Sequence, residues 1–232
     1  TNFKAASNVF KLMHIIDPHN ISVCINLGAS YFHINEVDKS LKLFEKALKL
    51  NSLNVALNHN LVRIYTSLSL DEKVQGTYDR LIEAGSDVYE SYVNKAFLYG
   101  KKEVDSCISC YLKALELSDK DLHVIHNLGL AYFEKKDFIN SEIYLLKALK
   151  RDENNCNFLN GYGFLLLGLK KYDEAINYLN KCIVIDSEFH HAYSSRGYCL
   201  LRIGEFDKAI LDINKAIELN SELAEAYEVR SL

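Results

Sequence analysis

The chain has 232 residues, of which 49% are apolar and 25% are charged, and it contains ten glycines and one proline. This apolar fraction excludes a largely disordered chain, and so few turn-forming residues exclude a β-sandwich or barrel, which needs them about every 8–12 positions. The net charge of −4 provides no basic field for nucleic acid. No apolar stretch approaches the roughly 20 residues that span a bilayer, so membrane insertion is not expected either.

The sequence repeats itself with a period of 34 residues. A partial repeat at residues 1–20 comes first, and a partial repeat at residues 224–232 comes last. Apolar residues fall at positions 4, 7, 8 and 11 and again at 20, 24 and 27 of each full repeat, which are the spacings of two helix faces. Each repeat therefore predicts a helix A followed by an antiparallel helix B, and residues 1–232 predict a single array. The full repeats are residues 21–54, 55–88, 89–121, 122–155, 156–189 and 190–223.

Small residues recur where helices A and B are expected to meet. Position 8 is Gly or Ala in five of six repeats, and position 20 is Ser, Ala or Cys in five of six. We expect the paired helices to approach closely at these positions, and stacked pairs to bury a continuous core. Pro18 lies at position 32, where later repeats mostly carry Ser or Asp. We expect these polar residues to end one helix and cap the next.

The pattern L-G-x-x-Y, with later Ala and Phe positions, resembles the tetratricopeptide repeat. Residues 26–31 (NLGASY) and 127–132 (NLGLAY) carry it most clearly, and the resemblance extends over essentially the whole chain. It implies an all-α solenoid, a right-handed superhelix in which helices A line a concave groove and helices B form the convex back. It implies no reaction.

Two repeats depart from the pattern. Repeat 55–88 carries Val62, Val74 and Leu81 where small residues are expected, and repeat 89–121 is one residue short. Large side chains at a close contact push helices apart. We therefore predict an irregularity in the curvature of the superhelix around residues 62–107.

The sequence shows no catalytic or metal signature. Cys107 and Cys110 form a Cys-x-x-Cys pair, but Cys107 occupies the small core position 20 and no second ligand pair follows, so a core role is favoured. We expect no enzyme activity, no cofactor and no metal. Six cysteines at irregular spacing indicate a reducing, intracellular compartment, which we take as the cytoplasm.

Candidate binding residues come from the groove positions that the resemblance implies. Position 6 is asparagine in four consecutive repeats: Asn26, Asn60, Asn94 and Asn127. An asparagine can donate to and accept from one peptide unit, so such a row could hold an extended chain by its backbone, as in family members with asparagine ladders. The alternative is that asparagine is simply common in this chain, which has 20 of them.

Two further groove positions add histidine and apolar residues. Position 5 carries His59 and His126, which we expect to be solvated donors rather than metal ligands, because a third ligand is not evident. Position 9 changes from Ala29 and Arg63 to large apolar and aromatic residues along the chain, and either forms a binding stripe or is partly covered by neighbouring helices. It carries Ala29, Arg63, Phe97, Leu130, Phe164 and Tyr198. No Lys or Arg stands at positions 5 or 6, which argues against a clamp for terminal carboxylates.

These features predict a non-enzymatic protein–protein interaction scaffold that binds an extended peptide or partner segment in the concave groove. Two alternatives stay open. One is the substrate-recognition arm of a larger enzyme, such as a glycosyltransferase with tetratricopeptide repeats. The other is a structural subunit that self-associates, as a homo-oligomer or within a larger complex, through the position-9 stripe or the ends of the array.

Overall fold

The structure is a computed structural model in which residues 3–221 are described. These residues form thirteen α-helices and no strand, so the predicted all-α repeat fold is confirmed. The helix expected from Ala224 onward lies outside the described residues. The helices are α1 (Phe3–Ile16), α2 (Ile21–His33), α3 (Val37–Leu50), α4 (Val55–Ser67), α5 (Asp71–Glu83), α6 (Val88–Tyr99), α7 (Val104–Leu117), α8 (Leu122–Glu134), α9 (Phe138–Arg151), α10 (Cys156–Gly168), α11 (Tyr172–Ile185), α12 (His190–Arg202) and α13 (Phe206–Leu219).

The helices belong to two compact units. The first runs to Leu98, and the second begins at Tyr99. The division falls at the end of α6, inside the repeat that is one residue short. The single continuous array and the irregular curvature around residues 62–107 stay predictions.

Paired helices touch at their small residues, as the sequence predicted. A Cβ atom added to Gly28 of α2 would collide with the Phe44 ring of α3, and one added to Gly129 of α8 would lie 2.7 Å from Leu145 Cγ of α9. Because ordinary contacts are longer, these helix pairs can approach this closely only where a side chain is lacking.

Each unit has its own apolar core. In the first, Leu27, Phe44, Leu57 and Leu81 are among the buried side chains that join α2 to α5. In the second, the core joins α8 to α12. The small residues at position 27 are all fully buried in the structure: Ala47, Ala114, Ala148, Cys182 and Ala216.

Most A helices are capped by the residue directly before them. The side-chain oxygens of Asn20 and Asn54 accept from Val23 N (3.2 Å) and Leu57 N (3.0 Å). Asp121 and Asn155 cap α8 and α10 in the same way. The expectation that residues at position 32 cap these helices is therefore wrong: the cap lies two residues later, where the extended backbone lets the side chain reach the first turn.

The turns between helices A and B share one unusual backbone conformation. Asn35, Ser69, Lys136, Lys170 and Gly204 have φ values of 64°, 55°, 65°, 62° and 87°. They occupy position 15 of five repeats. The short repeat 89–121 has a different turn, in which Gly100 has φ 47°. In this repeat α6 has 12 residues, whereas the other A helices have 13, so the helix and its connection to α7 both differ from those of the other repeats.

Candidate functional site

In the second unit, α10 contacts both α8 and α12 directly. We call the solvent-facing side of α8, α10 and α12 the A surface of the second unit. Of the predicted groove residues, it contains Asn127, Leu130, Phe164 and Tyr198.

An aromatic pair lies on this surface. The Phe133 ring of α8 and the Phe164 ring of α10 have centroids 5.0 Å apart at an interplanar angle of 57°. Phe164 keeps 37% of its surface exposed, and the Phe133 ring of the neighbouring helix covers part of it. A binding role for position 9 stays a prediction. Phe133 in turn packs against Gly168, where a Cβ atom would be 2.5 Å from the ring. The pair forms a fixed apolar platform.

Phe133 is not among the residues predicted from the sequence, although its spacing carries a signal. Phe133 and Phe164 are 31 residues apart, and the same spacing separates Phe32 and Arg63 in the first unit. There the Arg63 guanidinium carbon lies 5.8 Å from the Phe32 ring centroid. An aromatic residue at position 12 thus contacts position 9 of the next repeat in both units.

Polar groups lie beside the aromatic pair. The Ser195 hydroxyl of α12 donates to Asn160 Oδ1 of α10 at 3.2 Å. Asn127 of α8 is half-buried, and its amide bonds the Tyr111 hydroxyl of α7. Burial raises the pKa of Tyr111 more than this bond lowers it. The A surface therefore combines amide and hydroxyl groups with an apolar platform.

His126 is not the solvated donor that the sequence predicted. It is 7% exposed and packs against the Phe158 ring, with centroids 5.1 Å apart. A Cβ atom on Gly161 would collide with its Nε2 atom. Burial lowers the pKa of His126 to about 4. The contacts with Asn127 and the Asn157 backbone raise this pKa, but by less than burial lowers it. His126 fills the space that a side chain at position 6 of the next repeat would need.

The remaining groove candidates lie in the first unit. Asn26 and Arg63 are exposed on α2 and α4, and Phe97 of α6 is 70% exposed. Asn60 donates from Nδ2 to the Ala56 carbonyl of its own helix at 2.9 Å. Asn94 is half-buried on α6.

His59 makes a hydrogen-bond contact with a carboxylate rather than standing alone in solvent. Its Nε2 atom lies 2.7 Å from Asp87 Oδ2, directly before α6. The second unit has a comparable pair, because the Lys101 ammonium, in the turn before α7, lies 2.5 Å from Glu134 Oε1 of α8.

Few groups between residues 3 and 221 are suited to catalysis or to metal binding. No set of three His, Cys, Asp or Glu residues there could hold a metal ion, and all six cysteines are free. Burial raises the pKa of Cys107 to about 11, so its thiol stays protonated and behaves as part of the core. No helix in this range is both long enough and apolar enough to cross a membrane.

Comparison with known proteins identifies the class. Tetratricopeptide repeat family models match residues 21–54, 122–155, 157–189 and 190–223, which is more than half of the chain. The chain belongs to the tetratricopeptide repeat family. Stacked helix pairs of this kind are generally non-catalytic scaffolds that bind other proteins on extended surfaces.

Solved structures and curated relatives agree with this assignment. A tetratricopeptide repeat protein from Parabacteroides merdae is 19% identical, with a TM-score of 0.75 over 99% of this chain and 91% of that one. A chain of the Cut9–Hcn1 hetero-tetramer of the APC/C is 13% identical, with a TM-score of 0.69 over 99% of this chain and 45% of that one. The BBSome complex member BBS4 of Bos taurus is 24% identical over 57% of this chain, and the protein O-mannosyl-transferase TMTC3 of Mus musculus is 29% identical over 59%. The matches span only 26% and 16% of those two relatives.

Proposed function

We propose that this chain is a scaffold that binds an extended peptide segment of a partner protein on the A surface of the second unit. The observation that carries the proposal is the exposed Phe164 ring, held against Phe133 at 5.0 Å beside a row of amide and hydroxyl groups. A fixed apolar anchor next to polar groups is the usual composition of a peptide-binding surface.

The two kinds of group have separate roles. Phe133 and Phe164 receive an apolar side chain of the peptide, because burying it there removes apolar surface from water on both sides. Asn127 and Asn160 bind peptide groups of the backbone. Asn160 accepts from Ser195 through Oδ1, and its Nδ2 atom carries two N–H donors suited to a peptide carbonyl. In the first unit, Asn26, Arg63 and Phe97 offer groups of the same kinds.

The test uses peptides selected on the wild-type protein from a random peptide library, and measures their affinity by isothermal titration calorimetry. We expect Phe164→Ala to weaken a selected peptide about tenfold or more, since truncated aromatic anchors cost over 1 kcal/mol at interfaces. Asn127→Ala should weaken it less. Ile139→Ala is the matched control, because Ile139 is 76% exposed on α9, outside this surface. Equal affinity for all four proteins would refute the proposal.

A second candidate is a subunit of a larger assembly. It is supported by the similarity to a BBSome complex member and by exposed apolar residues on B helices. Ile143 of α9, Val184 of α11 and Leu211 of α13 are 54%, 86% and 70% exposed. Sedimentation across a concentration series distinguishes self-association, which raises the mass, from a monomer that needs another partner.

The third candidate is the recognition arm of an enzyme, and the similarity to an O-mannosyl-transferase supports it. The match covers 16% of that relative, so any reaction would belong to other parts of a longer protein. The complete reading frame of the gene decides this: a transferase domain in it would support the arm, and its absence would exclude it.

A further inference from the structure

Two cysteines of the second unit face each other across one helix pair. Cys156 is the first residue of α10, and Cys182 lies in the last turn of α11. Cys156 Sγ donates to the Cys182 carbonyl at 3.3 Å, and Cys182 Sγ donates to the Cys156 carbonyl at 3.6 Å. Because each sulfur lies against the backbone of the other residue, the two thiols are neighbours.

The two thiols differ in their access to solvent. Cys182 is fully buried in the core of the second unit, whereas Cys156 is half-buried. Burial, together with the neighbouring Cys156 thiol, raises the pKa of Cys182. A solute therefore reaches Cys156 first, whereas Cys182 lies buried next to it as a protonated thiol. Redox-sensitive pairs are commonly arranged in this way, with an accessible cysteine next to a resolving one.

We propose that Cys156 and Cys182 form a peroxide-sensitive dithiol that closes to a disulfide between α10 and α11. The inference is independent of peptide binding, because neither cysteine belongs to the A surface as described above. It also assigns a role to a position that the repeat pattern explains only as a small core residue.

The chemistry takes two steps with hydrogen peroxide as the oxidant. The Cys156 thiolate attacks one peroxide oxygen and the O–O bond breaks, giving a sulfenic acid and hydroxide, which takes up the proton that the thiol lost. Cys182 sulfur then attacks the Cys156 sulfur, and the S–O bond breaks as the S–S bond forms. The thiol proton of Cys182 leaves with the departing hydroxyl as a second water. Each sulfur loses one electron, and the peroxide gains both.

The disulfide would join the start of α10 to the end of α11. A cross-link removes freedom from the unfolded chain, more so for a long loop, and this loop contains 25 intervening residues. We expect the second unit to unfold about 5–10 °C higher in the oxidised protein, and the increase to disappear when dithiothreitol is added.

The experiment treats the reduced, purified protein with a small molar excess of hydrogen peroxide and maps its cysteines by mass spectrometry without reduction. The expected product is one cross-linked peptide pair containing Cys156 and Cys182, lighter by two hydrogen atoms. Cys182→Ala should abolish both the cross-link and the shift in melting temperature. This variant is expected to fold, since Ala47, Ala114, Ala148 and Ala216 fill the same position.

Cys199→Ala is the matched control, because Cys199 is also fully buried in this core. It should retain the cross-link between Cys156 and Cys182. Three results would overturn the proposal: Cys156 oxidised to a sulfinic acid while Cys182 remains a thiol, a disulfide that joins other cysteines, or all six thiols unchanged. Each can be detected in the wild-type protein, so the conclusion does not rest on a variant alone.

Discussion

The Ser40 hydroxyl donates a 2.7 Å hydrogen bond to the Gly28 carbonyl, and this bond joins α3 to α2 in a fully buried contact. Ser141 occupies the same position of its repeat and is equally buried, yet in the described part of the chain its hydroxyl has no hydrogen-bond partner. We therefore expect the hydroxyl of Ser40 to stabilise the fold and the hydroxyl of Ser141 to destabilise it. A buried hydroxyl stabilises a fold only when it is bonded.

The first prediction concerns this pair of serines. Ser40→Ala should lower the free energy of unfolding by about 1–2 kcal/mol, because it removes a buried hydrogen bond between α3 and α2. Ser141→Ala should be neutral or stabilise by up to about 1 kcal/mol. Alanine fits here, since Ala175 and Ala209 fill this position in later repeats and are fully buried. Urea unfolding followed by circular dichroism measures both changes, and equal losses would contradict the argument.

The second prediction compares two glycines within helices of the first unit. Gly28→Ala should cost about 1–3 kcal/mol, because the new methyl group would collide with the fully buried Phe44 ring. Gly76→Ala in α5 should stabilise by about 0.5–1 kcal/mol, since nothing lies within 4 Å of the added Cβ atom. Thermal unfolding of both variants checks the sign. A stable Gly28→Ala protein would show that α2 and α3 can separate at low cost.

The third prediction is a pH dependence that originates from His126. Its pKa falls from 6.5 to about 4 in the folded chain, so the unfolded chain binds more protons between these values. The contribution of His126 to the free energy of unfolding is fully present above about pH 6.5 and is lost as the pH falls toward 4. At pH 5 the loss should be about 2 kcal/mol relative to pH 7.5.

His126→Leu should remove this part of the pH dependence, because leucine cannot take up a proton. His19→Gln is the control, as His19 is exposed before α2, and it should keep the wild-type profile. Urea midpoints measured from pH 4.5 to 7.5 make the comparison. If the leucine variant loses as much stability on acidification as the wild type, His126 is not the responsible group.

The fourth prediction tests the turns between helices A and B. Lys170 has φ 62°, a conformation that costs an L-residue about 1–2 kcal/mol. Lys170→Gly should therefore stabilise the second unit by about 0.5–1 kcal/mol, after the greater entropy of an unfolded glycine is subtracted. Gly204→Ala, at the equivalent position with φ 87°, should destabilise by about 1 kcal/mol. Calorimetric melting of the two variants should show shifts in opposite directions.

The repeat pattern predicted the helices and their contacts because both follow from local periodicity. Small residues at position 8, such as Gly28 and Gly129, meet large partners 16 residues later, as the spacing implied. The pattern could not predict His126. Its burial depends on Gly161 in the next repeat, and the two positions are linked only when α8 and α10 are packed side by side.

The candidate surface was predicted less completely than the fold. Phe164 was predicted, but Phe133, which holds it, was not, because the contact joins position 12 of one repeat to position 9 of the next and does not follow from the pattern within a single repeat. The Cys156–Cys182 pair was missed for a similar reason. Cys156 begins helix A and Cys182 ends helix B, so their proximity depends on the antiparallel pairing of α10 and α11.

The position of the helix caps bears on how such a chain can be cut, duplicated or redesigned. Asn20, Asn54, Asp121 and Asn155 each begin the helix that follows them, yet each is the last residue of the preceding sequence repeat. A segment excised as residues 21–54 would lack Asn20, which caps its first helix, and would end with Asn54, which caps the first helix of the next repeat. The physically complete module is shifted by one residue, as in residues 20–53. Repeats exchanged in that frame would each bring the side chain that begins their first helix.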